Sequence, residues 1–170
     1  MPLFSFEGKE VKKARAEMSG DTITGTALFT EYLFGEQLVV KITLDLSGDP
    51  AKLIPGKHAV HIHAKASCEG GFTCAGGHFD PGPNGNTDPD MNHPYHAGDL
   101  PNIIIDENGK GKLEAVSTRV TLSEGPLCVF SGEGTALMVH ANPDPYTSGP
   151  HGSGVSGGPR IACGVISEIV

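Results

Sequence analysis

The sequence predicts an antiparallel all-β fold, a sandwich or barrel that carries two long functional loops. Three observations support this prediction. Short runs rich in Val, Ile, Thr and Leu recur along the chain, and turn-forming residues separate them. Glycine and proline are abundant, at 24 and 13 of 170 residues. Two long stretches have no hydrophobic periodicity. The length suits one domain with its own core, so we expect residues 1–170 to form a single domain.

The strands are predicted in chain order from these runs. Two lie at residues 22–30 and 37–46, with a turn at 34–36. The stretch "HAVHIHA", residues 58–64, is the next strand. The Asn108-Gly109 step between two apolar-rich arms then predicts a β-hairpin. "GTALMVHA" and "IACGVISEIV" supply the last strands.

Two segments are predicted to be loops because they are rich in Gly, Pro, Asn and Asp. The first covers residues 67–101, and the second is "ANPDPYTSGPHGSGVSGGPR", residues 141–160. Loops of this length inside a compact domain are usually functional or disordered. They are therefore the first place to look for a site.

Charge and composition exclude some classes of protein. The formal net charge of -8 argues against a nucleic-acid-binding face, and no apolar run is long enough to span a bilayer. The first residues do not read as a signal peptide. We therefore expect either a periplasmic or extracellular mature form that lacks its leader or, alternatively, a cytoplasmic protein.

The four cysteines are Cys68, Cys74, Cys128 and Cys163, and they contain no CxxC pair. This spacing disfavours a four-cysteine zinc site. One or two disulfides fit the pattern better, and disulfides favour an oxidising compartment.

The histidines are concentrated rather than scattered. On a strand, His61 and His63 point to the same side about 7 Å apart, while Val60 and Ile62 point to the other side. Six of the eight histidines lie on or beside the first loop, or at a strand end that could face it. Many imidazoles with nearby carboxylates suit copper or zinc rather than magnesium or calcium.

Four segments, "HIHAKASCEGGFTCAGGHFDP", "HAGDLPNI", "VHANPDPY" and "GGPRIACGVI", together resemble the copper/zinc superoxide dismutases, of the bacterial type. The resemblance runs from about residue 25 to residue 165. It implies a Greek-key arrangement of about eight strands. It also implies an enzyme that converts superoxide to dioxygen and hydrogen peroxide, with copper and zinc as cofactors, no nucleic-acid or membrane partner, and a monomer or homodimer as the assembly.

The resemblance also assigns residues. It places the copper ligands at His61, His63, His78 and His140. It makes His78 the bridge to zinc, with His96 and Asp99 as zinc ligands. Asp144 matches an aspartate that bonds one copper histidine and one zinc histidine. Arg160 matches the arginine beside the open copper position, so that His78 and Arg160 are the expected catalytic residues. Cys68 and Cys163 match the disulfide of the family.

The sequence departs from the family pattern in the first loop. Asn86 occupies the position where a zinc histidine is expected, eight residues after His78, and the stretch from His78 to His96 is slightly long. Three readings stay open. His93 can replace the missing ligand, Asn86 or water can complete a weaker site, or copper alone can be bound.

Other residues match nothing in the family. Cys74 and Cys128 are either two buried thiols or a second disulfide. His58 lies on the opposite face from His61 by parity, and we expect His58 and His151 to be ordinary surface residues. A copper-delivery protein is disfavoured because it would add a CxxC domain. A non-catalytic sandwich is disfavoured because all four copper-site histidines are present.

Overall fold

The computed structural model describes residues 7–82, 85–91 and 95–170. Within them the chain forms ten β-strands and one short 3-10 turn at Thr73–Ala75, with no α-helix. The strands are β1 Lys9–Gly20, β2 Thr24–Phe34, β3 Gln37–Ser47, β4 Gly56–His58, β5 Val60–His63, β6 Ile103–Ile105, β7 Lys110–Ser117, β8 Ala136–His140, β9 Arg160–Val165 and β10 Ser167–Ile169. The all-β prediction is confirmed.

The strands form a nearly closed antiparallel barrel in the order β4-β6-β7-β3-β2-β1-β9-β8-β5. One residue separates β4 from β5, and one separates β9 from β10, so the ten strands follow eight paths around the barrel. Residues 98–100 continue the path of β6 and pair with β5, through Ile62 N–H to the Gly98 carbonyl and Leu100 N–H to the Val60 carbonyl. The expected Greek-key barrel of about eight strands is therefore confirmed.

Two predicted hairpins are present with shifted limits. The turn between β2 and β3 is shorter than predicted, because Phe34 pairs with Gln37 and only Gly35 and Glu36 are left between them. The second hairpin joins β6 to β7, where Gly109 has φ +73° and its N–H donates to the Asp106 carbonyl at 3.0 Å. A positive φ is the conformation that glycine adopts at little cost.

The sequence reading did not predict β1. Its buried residues are Ala14, Ala16 and Met18, which alternate with exposed Arg15 and Glu17. The period of two is present, but two of its three apolar members are alanines, which carry little β-strand signal. β1 pairs with β2 along nearly its whole length and also contacts β9 and β10.

The core fills the barrel with apolar side chains, of which Phe29, Ile42, Leu44, Ile62 and Leu137 are fully buried. One carboxylate also lies inside. Glu31 is 0% exposed, and its oxygens accept hydrogen bonds from the backbone N–H groups of Leu122 and Ser123 and from the Ser123 hydroxyl. These bonds fix the connection between β7 and β8 to β2.

Among their described residues, the two segments predicted as loops contain no strand residue except Arg160, with which β9 begins. The predicted disulfide is confirmed. Cys68 in the first loop is bonded to Cys163 on β9, with a Cα–Cα distance of 5.7 Å. Cys74 and Cys128 are both free thiols, so they form no second disulfide. Cys128 is buried as expected, whereas Cys74 is exposed, so the expectation of a buried thiol was wrong for Cys74. In the described residues, no helix is long and apolar enough to cross a bilayer.

Candidate metal centre

β5 presents the His-x-His pair as parity predicts. Val60 and Ile62 are fully buried in the barrel core, while His61 and His63 face the first loop, which covers them completely. β5 pairs with β8, with His61 opposite Met138 and His63 opposite Ala136. A paired strand between the core and a covering loop gives the two imidazoles little freedom to move.

A first donor cluster contains His61, His63, His78 and His140, all of them buried. Each offers a ring nitrogen, and these nitrogens lie within 4.8 Å of one another. β5 supplies two of the residues, the first loop supplies His78 and the end of β8 supplies His140. Residues up to 79 positions apart in sequence thus converge on one point.

Hydrogen bonds to the protein orient the rings of this cluster. The Nδ1 atoms of His63 and His140 lie 2.8 Å and 3.0 Å from the carbonyl oxygens of Gly76 and Gly158, to which each can donate. Their Nε2 atoms then face each other at 3.4 Å. A nitrogen whose partner nitrogen donates a proton keeps its lone pair for a metal. The cluster therefore has Nε2 donors at His63 and His140.

Burial also sets the charge of these rings. Loss of solvent holds the pKa values of His61 and His63 well below the usual 6.5, and the neighbouring histidines lower them further. The two imidazoles are therefore neutral near pH 7, which is the form that binds metals.

A second donor cluster shares His78 with the first and adds His96 and Asp99. His78 Nδ1 lies 3.1 Å from His96 Nδ1 and 2.9 Å from Asp99 Oδ1, while His96 Nδ1 lies 3.2 Å from Asp99 Oδ2. Ligands about 2.0–2.1 Å from a tetrahedral zinc ion are separated by roughly 3.3 Å. The spacing and the donor types of this cluster therefore fit zinc.

His93 and Asn86 are the two candidates for a fourth ligand of the second cluster. His93 lies outside the described residues. The Asn86 side-chain oxygen accepts the N–H of Asp88 at 3.0 Å, and the Asn86 N–H donates to Asp80 at 3.0 Å. Asp80 is buried and also accepts the N–H of Ala97, so it links the two halves of the first loop. Asn86 thus has a local structural role.

Asp144 lies behind the first cluster, where it is 2% exposed. Its Oδ2 is 2.9 Å from His61 Nε2, and its Oδ1 accepts the N–H of Tyr146 at 2.7 Å. Asp144 is therefore bonded to a histidine of the first cluster. That bond turns His61 Nδ1 toward the cluster.

Arg160 begins β9 and is half-buried beside the first cluster. Its guanidinium donates to the carbonyl oxygens of Phe72 at 2.7 Å and Gly76 at 2.6 Å. The Gly76 carbonyl is also the partner of His63 Nδ1, so one peptide group positions both residues. Burial lowers the pKa of Arg160, which remains a cation at neutral pH.

His58 is not a surface residue, so that prediction was wrong. It is 3% exposed, with Nδ1 2.8 Å from the His140 carbonyl oxygen and Nε2 2.7 Å from that of Ile54. The parity that separates His58 from His61 places it with Val60 and Ile62, and those residues face the core. His151 is exposed as predicted, and its Nδ1 lies 2.7 Å from Asp88 Oδ2.

The fold and the site together define a class: an antiparallel β-barrel with one all-imidazole donor cluster and one imidazole–carboxylate cluster joined by a histidine. The family model for copper/zinc superoxide dismutase matches residues 23–166. The chain belongs to the copper/zinc superoxide dismutase family.

Individual relatives agree with this assignment. The chain is 36% identical to superoxide dismutase [Cu-Zn] of Deinococcus radiodurans, over 91% of this chain and 84% of that one. It is 37% identical to superoxide dismutase [Cu-Zn] of Legionella pneumophila, over 84% of this chain and 76% of that one. A crystal structure of the clock protein EA4 superposes with a TM-score of 0.70 and 28% identity, covering 99% of this chain and all of that one.

Proposed function

We propose that this chain is a superoxide dismutase that uses copper and zinc. The observation that carries the proposal is the position of His78, whose ring belongs to both donor clusters. Two superoxide ions and two protons give one dioxygen and one hydrogen peroxide. Copper bound at the imidazole cluster would supply the one-electron oxidation and reduction, because imidazole ligands suit both of its oxidation states.

The ligand assignment follows from the donor atoms. We assign His61, His63, His78 and His140 to copper, and His78, His93, His96 and Asp99 to zinc. Hydrogen bonds to Gly76, Gly158 and Asp144 support the copper set, because they orient the ring nitrogens inward. His93 is assigned by sequence spacing, since His93, His96 and Asp99 are three residues apart.

Two residues are assigned to catalysis itself. The ring nitrogen of His78 that faces the copper set can hold and release a proton, while its other nitrogen stays at the zinc set. Arg160 supplies a fixed positive charge beside the first cluster, where an anionic substrate would be stabilised. Phe72 and Gly76 hold that guanidinium in place.

We further propose that residues 1–170 act as one domain and that the protein works in an oxidising compartment, periplasmic or extracellular. The Cys68–Cys163 disulfide supports the second point, because such bonds persist where thiols are not kept reduced. A homodimer is the assembly hypothesis, and analytical ultracentrifugation of the metal-loaded protein tests it.

Substitution of copper-site histidines tests the activity. His63→Ala and His140→Ala should each lose most copper and most dismutase activity, because each removes one imidazole from a set of four. Asp45→Ala serves as the control, since that residue is exposed on the barrel wall and lies outside both clusters and both loops. Near-normal turnover at verified low copper content would contradict the assignment.

A second pair of variants tests the zinc set. His93→Ala should lower zinc content in the purified, reconstituted protein, while Asn86→Ala should retain zinc because its side-chain oxygen already accepts the Asp88 N–H. The opposite pattern would mean that Asn86, and not His93, is the fourth zinc ligand. A wild-type protein that binds copper but no zinc would support the third reading, a copper-only enzyme.

A further inference from the structure

The two long loops meet at a short acidic segment of the first loop, residues 88–90. This contact lies beside the proposed copper ligands, which are called the copper set. Residues 149–158 of the second loop are here called the strap. The strap's Gly149 N–H donates to the Asp90 carbonyl at 2.7 Å, and its Gly154 N–H donates to Asp90 Oδ2 at 3.2 Å. Its His151 pairs with Asp88 at 2.7 Å.

The strap has few side chains with which to hold its own position, because half of its ten residues are glycine. Its C-terminal end is anchored near β8, where Asn142 N–H donates to the Gly157 carbonyl and His140 Nδ1 faces the Gly158 carbonyl. Contacts from its N-terminal half reach Asp88 and Asp90. The acidic segment belongs to the stretch between His78 and His96 that is longer than the family pattern.

Asp90 differs from an ordinary surface carboxylate. It is 5% exposed, and its Oδ1 is buried with no hydrogen-bond partner among the residues that the structure describes. It also lines a cleft of about 330 Å³, together with the proposed copper ligand His140 and with Arg160. Strap residues Gly152, Gly154 and Ser156 line the same cleft. One residue thus touches both the strap and the approach to the copper set.

We propose that Asp90 is a positioning residue that holds the strap over this cleft and so restricts access to anions as small as superoxide. The inference rests on the proposed function, because it assigns the cleft as the approach to copper. Asp90 has two separable effects on anion access. Its hydrogen bond to Gly154 fixes the width of the cleft, whereas its charge offsets that of Arg160 and weakens the attraction of every anion.

Two substitutions separate these effects. Asp90→Asn removes the charge but keeps a carbonyl oxygen that can accept the Gly154 N–H. Asp90→Ala removes both the charge and the acceptor. Asp45→Ala is the matched control, because Asp45 is an exposed aspartate on β3 of the barrel wall and not part of either loop.

Hydrogen exchange of the purified protein, measured with and without added copper and zinc, reports the position of the strap. In Asp90→Ala the Gly154 amide should exchange at least about tenfold faster than in wild type, as expected for loss of one hydrogen bond to a carboxylate. Asp90→Asn should restore exchange to within about threefold of wild type. The Asp45→Ala control should leave the strap unchanged.

Two anionic probes of different size report access to copper. Azide is small, and its affinity for copper(II) can be followed by its optical absorption. Ascorbate is a larger monoanion, and it reduces copper(II) with loss of the copper absorption band. Charge loss should favour both probes alike in Asp90→Asn, leaving the ratio of ascorbate rate to azide affinity near that of wild type. In Asp90→Ala this ratio should rise about fivefold or more, because a displaced strap admits the larger anion.

Equal ratios in wild type, Asp90→Asn and Asp90→Ala would overturn the inference, as would unchanged Gly154 exchange in Asp90→Ala. Failure of the proposed function looks different, because wild type would then bind no copper and neither probe would give a copper signal. The exchange measurement on the strap does not depend on copper. The two failures are therefore distinguishable.

Discussion

His58 is not a member of either donor cluster, but its ring contacts the backbone of His140, which is. Its ring spans the carbonyl oxygens of Ile54 and His140, and each ring nitrogen that carries a proton donates to the carbonyl it faces. The His140 peptide is the end of β8, where that strand delivers a copper-set imidazole. The ring therefore fixes the backbone from which His140 projects.

His58→Ala should lower the free energy of unfolding by about 2–4 kcal/mol, because it removes buried hydrogen bonds and leaves a cavity. Urea denaturation measures this loss, and the copper EPR spectrum of the loaded variant should change as His140 shifts. The exposed His151→Ala should change stability by less than about 0.5 kcal/mol. If the two variants are equally stable, His58 has no such role.

For single residues, the sequence predicted the face of the strand on which a side chain lies better than it predicted whether that side chain is buried. The His-x-His spacing correctly placed His61 and His63 on one side of β5, because alternation is a local property of a strand. The prediction for His58 failed because both faces of β5 are covered, and His58 lies on the side of Val60 and Ile62, which face the core. A loop that returns from distant sequence leaves no local signal. The contact of Asp90 with Gly154 likewise has no local signal, because it joins residues of two different loops.

Asp88 and His151 form an ion pair that joins the two loops, with His151 exposed and Asp88 largely covered. Asp88 raises the pKa of His151 above its usual 6.5 through a hydrogen bond and a favourable charge interaction. The N–H of Asp90 lowers the pKa of Asp88 below its usual 3.8, and His151 lowers it further. Both groups are therefore charged together in a window that reaches from below 3.8 to above 6.5.

The stabilisation by this pair should depend on pH in two directions. The His151 contribution is fully present below 6.5 and is lost as the pH rises through its raised folded-state pKa. The Asp88 contribution is present above 3.8 and is lost as the pH falls through its lowered folded-state pKa. Asp88→Asn should lower the pKa of His151 in an NMR titration, whereas Asp45→Asn should not. An unchanged pKa in Asp88→Asn would rule out the pair in solution.

Whole elements were predicted to different degrees. The second hairpin was found because Asn108-Gly109 encodes its turn locally, and the loops were found because Gly and Pro dominate them. β1 was not predicted because Ala14 and Ala16 make a weak apolar alternation. The strand is held by pairing with β2, β9 and β10, and the pairings with β9 and β10 join residues that are far apart in sequence. The docking of residue 88 against residue 151 depends on the folded barrel, which no local pattern specifies.

The whole molecule carries a formal charge of -8, yet the proposed substrate is an anion. Attraction near copper must therefore come from local cations, of which Arg160 is one and the metal is another. At about 5 Å and an effective dielectric near 20, an arginine attracts an anion by roughly 3 kcal/mol, an upper figure for a wet cleft. Half of that free energy corresponds to about tenfold in rate.

Arg160→Ile should keep both metals and lose at least about tenfold in kcat/KM, while the surface variant Arg15→Ile should be unaffected. The wild-type rate should also fall as ionic strength rises, because salt screens the local attraction. Arg160→Lys should recover part of the loss by restoring a charge. A rate that climbs with salt would mean that the overall negative field dominates, and full activity in Arg160→Ile would mean that another group positions the anion.

The pairing of β1 with β9 has a consequence for how the chain reaches this fold. Ser19 of β1 pairs with Cys163 of β9, so this pairing joins residues from nearly opposite ends of the sequence. The disulfide and the convergence of His61 with His140 also need distant segments to meet. Such high contact order is typical of domains that fold in milliseconds to seconds rather than microseconds. Oxidation of a thiol pair takes seconds to hours, so the barrel should close first and the bond between Cys68 and Cys163 should form on an already folded chain.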